Sequence, residues 1–170
     1  IKNIDDAILG VARDDHIAIL VGQTIGHLGQ SALLAEVFNR VEGDAPPVDL
    51  EAEKKNGEFI RANLTWITAC SDLSDGGLAL AAFKMAEAAG VGVAINSDNT
   101  AEIFGEDQAR YLVACNFDQA EALMVAAGAA GIPISYVGNF GGNQVRFGDT
   151  SADLSALKQI FRSSFEAVVA

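Results

Sequence analysis

Positive charge is scarce in this sequence. Eleven Lys and Arg face 23 Asp and Glu, a formal net charge of −12 over 170 residues. A surface of that sign repels phosphate backbones and anionic headgroups, which excludes general nucleic-acid binding and docking to an acidic membrane. It still admits a small phosphorylated ligand, because main-chain amides can hold phosphate without Lys or Arg. Cysteine is nearly absent, with only Cys70 and Cys115, and histidine is limited to His16 and His27. Those four residues complete no zinc pattern, and no Ser-His-Asp or Cys-His set is legible. Two thiols lying in apolar runs suit buried structural cysteines and a reducing, cytoplasmic compartment. Long hydrophobic runs are missing too, so neither a signal peptide nor a membrane span is visible. The sequence shows no internal repeat and no low-complexity tail.

What remains is half apolar and one fifth charged, the balance of a globular domain. A chain of this size buries about 70% of its unfolded surface, so a stable core needs no disulfide or metal. The chain begins with Ile1, without a Met, in what looks like the approach to a helix. That start suggests a fragment of something longer, here treated as one domain over residues 1–170.

Asp5 to Ala12 suggests a short helix. His16 to Gly22 is a continuous apolar run of the kind that forms a strand buried on both faces. Ser31 to Val41 has helical spacing at Leu34, Val37, Phe38 and Val41. Glu42 to Pro47 is a turn, because a Pro pair cannot continue a helix. Asp49 is a good N-cap for a helix through Ala62. Leu64 to Cys70 suggests a strand. Leu78 to Ala89 suggests an Ala-rich helix closed by Gly90, and Val91 to Ile95 a strand before a polar loop, Asn96 to Thr100. Arg110 to Asn116 suggests a strand and Asp118 to Ala130 a helix ended by Gly131 and Pro133. Ile134 to Phe140 and Gln144 to Phe147 suggest a hairpin around Gly141-Gly142-Asn143. Ser151 or Asp153 can cap a last helix with Leu154, Leu157, Phe161, Phe165 and Val168 as its apolar stripe. This alternation predicts an α/β (α+β) sandwich: a mixed sheet flanked by helices, partly ferredoxin-like around Arg110 to Phe140.

Three segments can carry chemistry. Ser71 to Leu78 (SDLSDGGL) leaves a strand and opens a helix. The first amides of a helix are unpaired and carry partial positive charge. A phosphate there would accept from the amides of Gly76, Gly77 and Leu78, with the Ser74 hydroxyl beside them. Asp72 and Asp75 either shape a plain capped turn, Asp75 as the helix cap, or hold Mg²⁺. The segment is not a P-loop, for it lacks G-x-x-x-x-G-K-[ST]. Gly22 to Ser31 (GQTIGHLGQS), with Gly26, His27, Gly29 and Ser31, is either a long connection or a ligand-facing loop at a strand's C-terminal edge. Phe104 to Arg110 (FGEDQAR) either pairs Glu106 with Arg110 on a helix or aims Glu106, Gln108 and Arg110 at a ligand or domain interface.

Together these segments resemble the C-terminal domains of the aminoimidazole ribonucleotide synthetase superfamily. Within it they are most similar to the ATP-dependent synthetase subunits of phosphoribosylformylglycinamidine synthases. Ser71 to Leu78 resembles the family's D-x-S-D-G-G-L signature, and Phe104 to Val113 its F-x-E-x-Q-x-R-x-L-V segment. Gly22 to Ser31 with Pro47-Val-Asp-Leu-Glu51 resembles G-E-x-x-G-x-L-G-G-S…P-x-V-D-L-E. Ser71, Gln23 and Gln30 depart from the His, Glu and Gly usual there. The resemblance implies a C-terminal domain of a larger multidomain synthetase. That enzyme uses ATP and Mg²⁺ to convert formylglycinamide ribonucleotide and ammonia to the amidine in purine biosynthesis. It implies as partners the N-terminal domains of the same chain, a glutamine amidotransferase subunit and a phosphorylated small molecule. The catalytic histidine and most metal ligands of the family lie in N-type domains, so no catalytic residue and no metal site is assigned here. Two other readings are a non-catalytic, auxiliary nucleotide-binding module of that enzyme and a ferredoxin-like small-molecule sensor.

Overall fold

The computed structural model describes residues 10–169. The suggested helix over Asp5 to Ala12 lies mostly outside them, and the described part, residues 10–12, is not helical.

Among the described residues seven strands form one mixed sheet: β1 (Ile17–Val21), β2 (Ala69–Asp72), β3 (Val93–Ile95), β4 (Tyr111–Cys115), β5 (Ile134–Phe140), β6 (Gln144–Phe147) and β7 (Thr150–Asp153). Their spatial order is β2-β4-β1-β5-β3-β6-β7, and every neighbouring pair is antiparallel except β3 with β6. The helices are α1 (Leu50–Ala62), α2 (Gly77–Ala89), α3 (Thr100–Phe104), α4 (Phe117–Ala130) and α5 (Leu154–Val169).

The continuous apolar runs exist because the central strands are covered on both faces. Ala18 and Leu20 of β1, with Leu112 and Ala114 of β4, pack under α2 and Leu154 at the start of α5. Ile19, Val21, Val113 and Cys115 alternate to the other face, under Phe59 and Ile60 of α1 and Leu123 and Ala127 of α4. Phe161 of α5 meets Phe83 of α2 edge-on at 5.3 Å, and Glu87 of α2 takes Arg162 at 2.8 Å and Lys158 at 3.2 Å. The apolar stripe expected on α5 is thus seated at Leu154, Leu157 and Phe161; the side chains of Phe165 and Val168 lie outside the described residues. β4, α4 and β5 form a split unit: β4 and β5 each run antiparallel to β1, which lies between them. That is the ferredoxin-like half expected from Arg110 to Phe140.

Several local expectations change. The Gly141-Gly142-Asn143 turn does not close a hairpin, because β3 lies between β5 and β6. Val93 pairs with Phe140 on one side and Val145 on the other, and Gly92 exchanges amide bonds with Gly141 and Gly142. Periodicity locates strands but does not name their neighbours. The true hairpin is β6–β7, so Ser151 and Asp153 lie in a strand, with Asp153 directly before α5. Ser31 to Val41 makes only one helical turn, Leu33–Val37, and Asn39 at φ 51° breaks it. Its apolar residues Val37, Phe38 and Val41 are exposed. The strand expected over Leu64 to Cys70 begins late, at Ala69, after a tight turn at Leu64–Trp66. The expected loop Asn96 to Thr100 runs into α3, which starts at Thr100 and is capped by Asn99.

Candidate functional site

β1, β2 and β3 run parallel to one another, so the chain leaves all three at the same edge of the sheet. β4 runs the other way, and the segment leading into it starts at that edge. Hence Gly22–Ser31, Asp72–Leu78 and Phe104–Arg110 meet in one corner. The three segments singled out by sequence are brought together, as a ligand site at strand C-termini would require.

What ties them is a pair of adjacent carboxylates. Glu106 is 8% exposed and Asp107 4%. One oxygen of Glu106 accepts from the amide of Gly76 at 2.8 Å and from that of Ala32 at 2.8 Å. Asp107 accepts from the amides of Ile25, Gly26 and His27, each at 2.9 Å. Arg110, 1% exposed, stands 3.7 Å from Asp107. It donates to the carbonyls of Gly105 and Asp107 and to the Thr24 hydroxyl. Burial pushes the Asp107 carboxyl up, but the three amides and the Arg110 guanidinium outweigh it, and the net direction is down. Burial draws the Arg110 guanidinium below its ordinary value, with Asp107 opposing. α1 supports the corner from below: Glu53 accepts from the Ala109 amide at 2.8 Å, and Asn56 donates to the Ala109 carbonyl at 2.9 Å.

This arrangement corrects several expectations. Glu106 and Arg110 do not pair, because their segment is a loop and each reaches a different partner. Asp75 does not cap α2. The N-cap is Gly76, at φ 76°, and no side chain near in sequence supplies the cap bond. Two of the three amides expected to be free for phosphate are occupied: Gly76 by Glu106, and Gly77 by the Ser74 carbonyl at 2.9 Å. The Leu78 amide has no acceptor among the described residues, and Leu78 is buried. A Cβ on Gly77 would come 2.5 Å from the Gly105 carbonyl oxygen, so the helix head is pressed against residues 103–105. Asp72, Ser74 and Asp75 are exposed beside it. Among the described residues no three His, Cys, Asp or Glu side chains converge on a point that could hold a metal ion.

The Gly22–Ser31 loop is likewise internally tied. The His27 ring Nε2 donates to the Asp44 carbonyl at 2.8 Å. Gly26 takes φ 82°, and a Cβ there would meet that of Ala101 at 2.9 Å. Gly29 packs against Gly43 and Asp44. Ser31 is wholly buried and its hydroxyl accepts from the Leu34 amide at 3.4 Å. Gln108 is exposed and lines an open cleft of about 520 Å³ with Gln23, Ile25, Pro47, Asp49 and Lys55, within the range of small-molecule sites. Leu78 reaches a smaller cleft of about 280 Å³ beside Thr24, Asn96 and Tyr136. Burial, then the Asp72 carboxylate, pushes the Cys70 thiol up to about 12, and burial pushes Cys115 up to about 11.

Asp107, which makes most of the bonds in this corner, had no assigned role in the sequence. The available signal was its place between Glu106 and Arg110 in a segment otherwise short of partners.

Fold and corner define a class: an α+β domain with a mixed sheet whose loops at one edge are cross-tied by buried carboxylates. The chain belongs to the family described as AIR synthase related protein, C-terminal domain, which matches residues 13–148. It is 67% identical, over 98% of its length, to the phosphoribosylformylglycinamidine synthase subunit PurL of Ruegeria sp. (strain TM1040). It is 61% identical over its whole length to the subunit of the same name from Roseobacter denitrificans. The chain spans only 23% and 24% of those two relatives. Among solved structures, Thermotoga maritima PurL complexed with FGAR superposes with a TM-score of 0.75 at 15% identity, over 91% of this chain and 30% of that one. The thiamine-monophosphate kinase of Stenotrophomonas maltophilia gives 0.56 at 18% identity, over 84% and 53%. These two likenesses concern the fold alone.

Proposed function

We propose that this chain is the C-terminal domain of an ATP-dependent ligase of purine biosynthesis that makes formylglycinamidine ribonucleotide. Its part in that enzyme is to shape one wall of the assembly and to supply no reacting group. The observation that carries the first half is the 67% identity to a PurL subunit across 98% of the chain. The occupied amides at Gly76 and Gly77 support the second half.

ATP and Mg²⁺ belong to the whole enzyme in this reading, which works in the cytoplasm. With the Gly76 and Gly77 amides bonded within the protein, only that of Leu78 is left for a phosphate at the head of α2, since each amide has one hydrogen to give. Among the described residues no further His, Cys, Asp or Glu joins Asp72 and Asp75 in a group of three. No step is therefore placed on this domain. Its partners are the N-terminal domains of the same polypeptide and a glutamine amidotransferase subunit; a PurLQS assembly is known for the Thermotoga maritima protein. A companion domain suits the exposed apolar residues Ile25, Val37, Phe38, Val41, Val48 and Leu50, crowded into one stretch of chain.

The test replaces the C-terminal quarter of the Ruegeria subunit with this chain and measures ATP- and substrate-dependent ADP release with ammonia. Turnover of the same order as the parent is expected. A chimera that folds and assembles but does not turn over overturns the assignment.

A further inference from the structure

We infer that Glu106 is an internal anion: its carboxylate permanently fills a two-amide cradle, formed by Gly76 at the head of α2 and by Ala32, that a dissolved anion would otherwise occupy. The inference rests on geometry and stands or falls apart from the enzyme assignment.

α2 is 13 residues long and ends its first turn without a side-chain cap of its own. Its leading amides need an acceptor, and the helix dipole favours a negative one. Glu106 supplies one to the Gly76 amide from 30 residues away in sequence. The same oxygen also reaches Ala32, 74 residues away, at the start of the Leu33–Val37 turn. Two separate chain segments thus converge on one buried oxygen, the geometry of a bound anion with two backbone donors.

The carboxylate is covalently tethered. It acts at a far higher effective concentration than any free anion, so dissolved phosphate does not displace it. Its backbone is fixed from both sides: the Glu106 amide donates to the His27 carbonyl at 2.9 Å, and Asp107 next to it is held by three amides and Arg110. The near-contact of Gly77 with the Gly105 carbonyl leaves no gap between the helix head and the segment that carries Glu106. The glycines of the SDGGL segment therefore serve close packing of this protein's own loop.

Glu106→Ala opens the cradle, and its thermal midpoint is measured in sodium acetate, sodium phosphate and sodium chloride at matched ionic strength. The expected result is a midpoint lowered by about 5–10 °C. Acetate or phosphate should restore part of that loss, chloride should not, and the parent protein should respond equally to all three. A variant that melts like the parent, or that responds to the anions as the parent does, overturns the inference. A second measurement needs no variant: amide NMR shifts of Gly76 and Ala32 are followed while inorganic phosphate is added to the parent protein. Stationary signals support the internal anion. Saturable movement of those two amides contradicts it even if Glu106→Ala fails to fold.

Discussion

The starts of α4 and α2 meet the same demand by different means. At α4 the solution is local. The Asn116 side chain accepts from the Gln119 amide at 2.9 Å, and the Gln119 side chain accepts from the Asn116 amide at 3.2 Å. Four consecutive residues satisfy two orphan donors, a reciprocal capping box. At α2 the N-cap is a glycine without a side chain, and the acceptor comes from Glu106 across the corner. A local cap stabilises one helix. A remote cap also decides where that helix sits relative to the loop that supplies it. The start of α2 is thus coupled to the tertiary structure, and that of α4 is not.

Substitutions can widen or collapse this contrast. The largest effect is expected at Asp107→Ala. It strands the amides of Ile25, Gly26 and His27 and leaves the buried Arg110 without its carboxylate, a loss of about 3–5 kcal/mol. Chemical denaturation measures it, and a loss below about 1 kcal/mol would mean the corner behaves like surface. Glu106→Ala comes next, at about 2–4 kcal/mol for two part-buried amides left unpaired. Asn116→Ala removes a cap of the local kind and should cost only about 1 kcal/mol. If Asn116→Ala proves as harmful as Glu106→Ala, the contrast fails.

Acid sharpens the same comparison. The Asp107 carboxyl is held below its unfolded value, so its contribution is present above about pH 4 and is lost as pH falls through the lower folded value. The parent should lose more stability below that pH than Asp107→Asn does; parallel curves would contradict the role of the amides. His16 is a separate case at the start of β1. It is 8% exposed, and its ring Nδ1 has no hydrogen-bond partner among the described residues. Burial, then Arg13, holds its pKa below the ordinary value. The folded state therefore resists protonating it, and stability falls as pH drops below about 6.5. His16→Phe should flatten that slope. The smallest effect is expected at Gln30→Gly. Gln30 sits at φ 57° and donates to the Gly43 carbonyl at 2.9 Å. Relief of the left-handed strain is offset by the lost bond and a more flexible unfolded chain, leaving a change within about 1 kcal/mol.

The same contrast explains what was legible beforehand. Asp49 was named as the cap of α1, and its carboxylate accepts from the Glu51 and Ala52 amides. Gly90 and Gly131 were placed at the ends of α2 and α4, and both take left-handed conformations there. These features are written within a few residues. The central strands were found because burial on both faces leaves an uninterrupted apolar run. The neighbours of β3 were not, since pairing depends on residues some 50 positions away. In the corner, the three segments singled out by their glycines and charges do lie side by side. Their wiring was missed, because a carboxylate next to a glycine loop looks the same in sequence whether it faces a ligand, a metal or the protein's own backbone. Asp75 lies next to the helix head and stays exposed; Glu106 lies 30 residues off and does the capping.

Amide hydrogen exchange at Gly76 and Ala32 tests the remote cap most directly, with Glu106→Ala compared against the parent. If one carboxylate oxygen serves both, the two amides should lose protection together while Gln119 at the head of α4 keeps its own. Unchanged protection at Gly76 and Ala32 would contradict it.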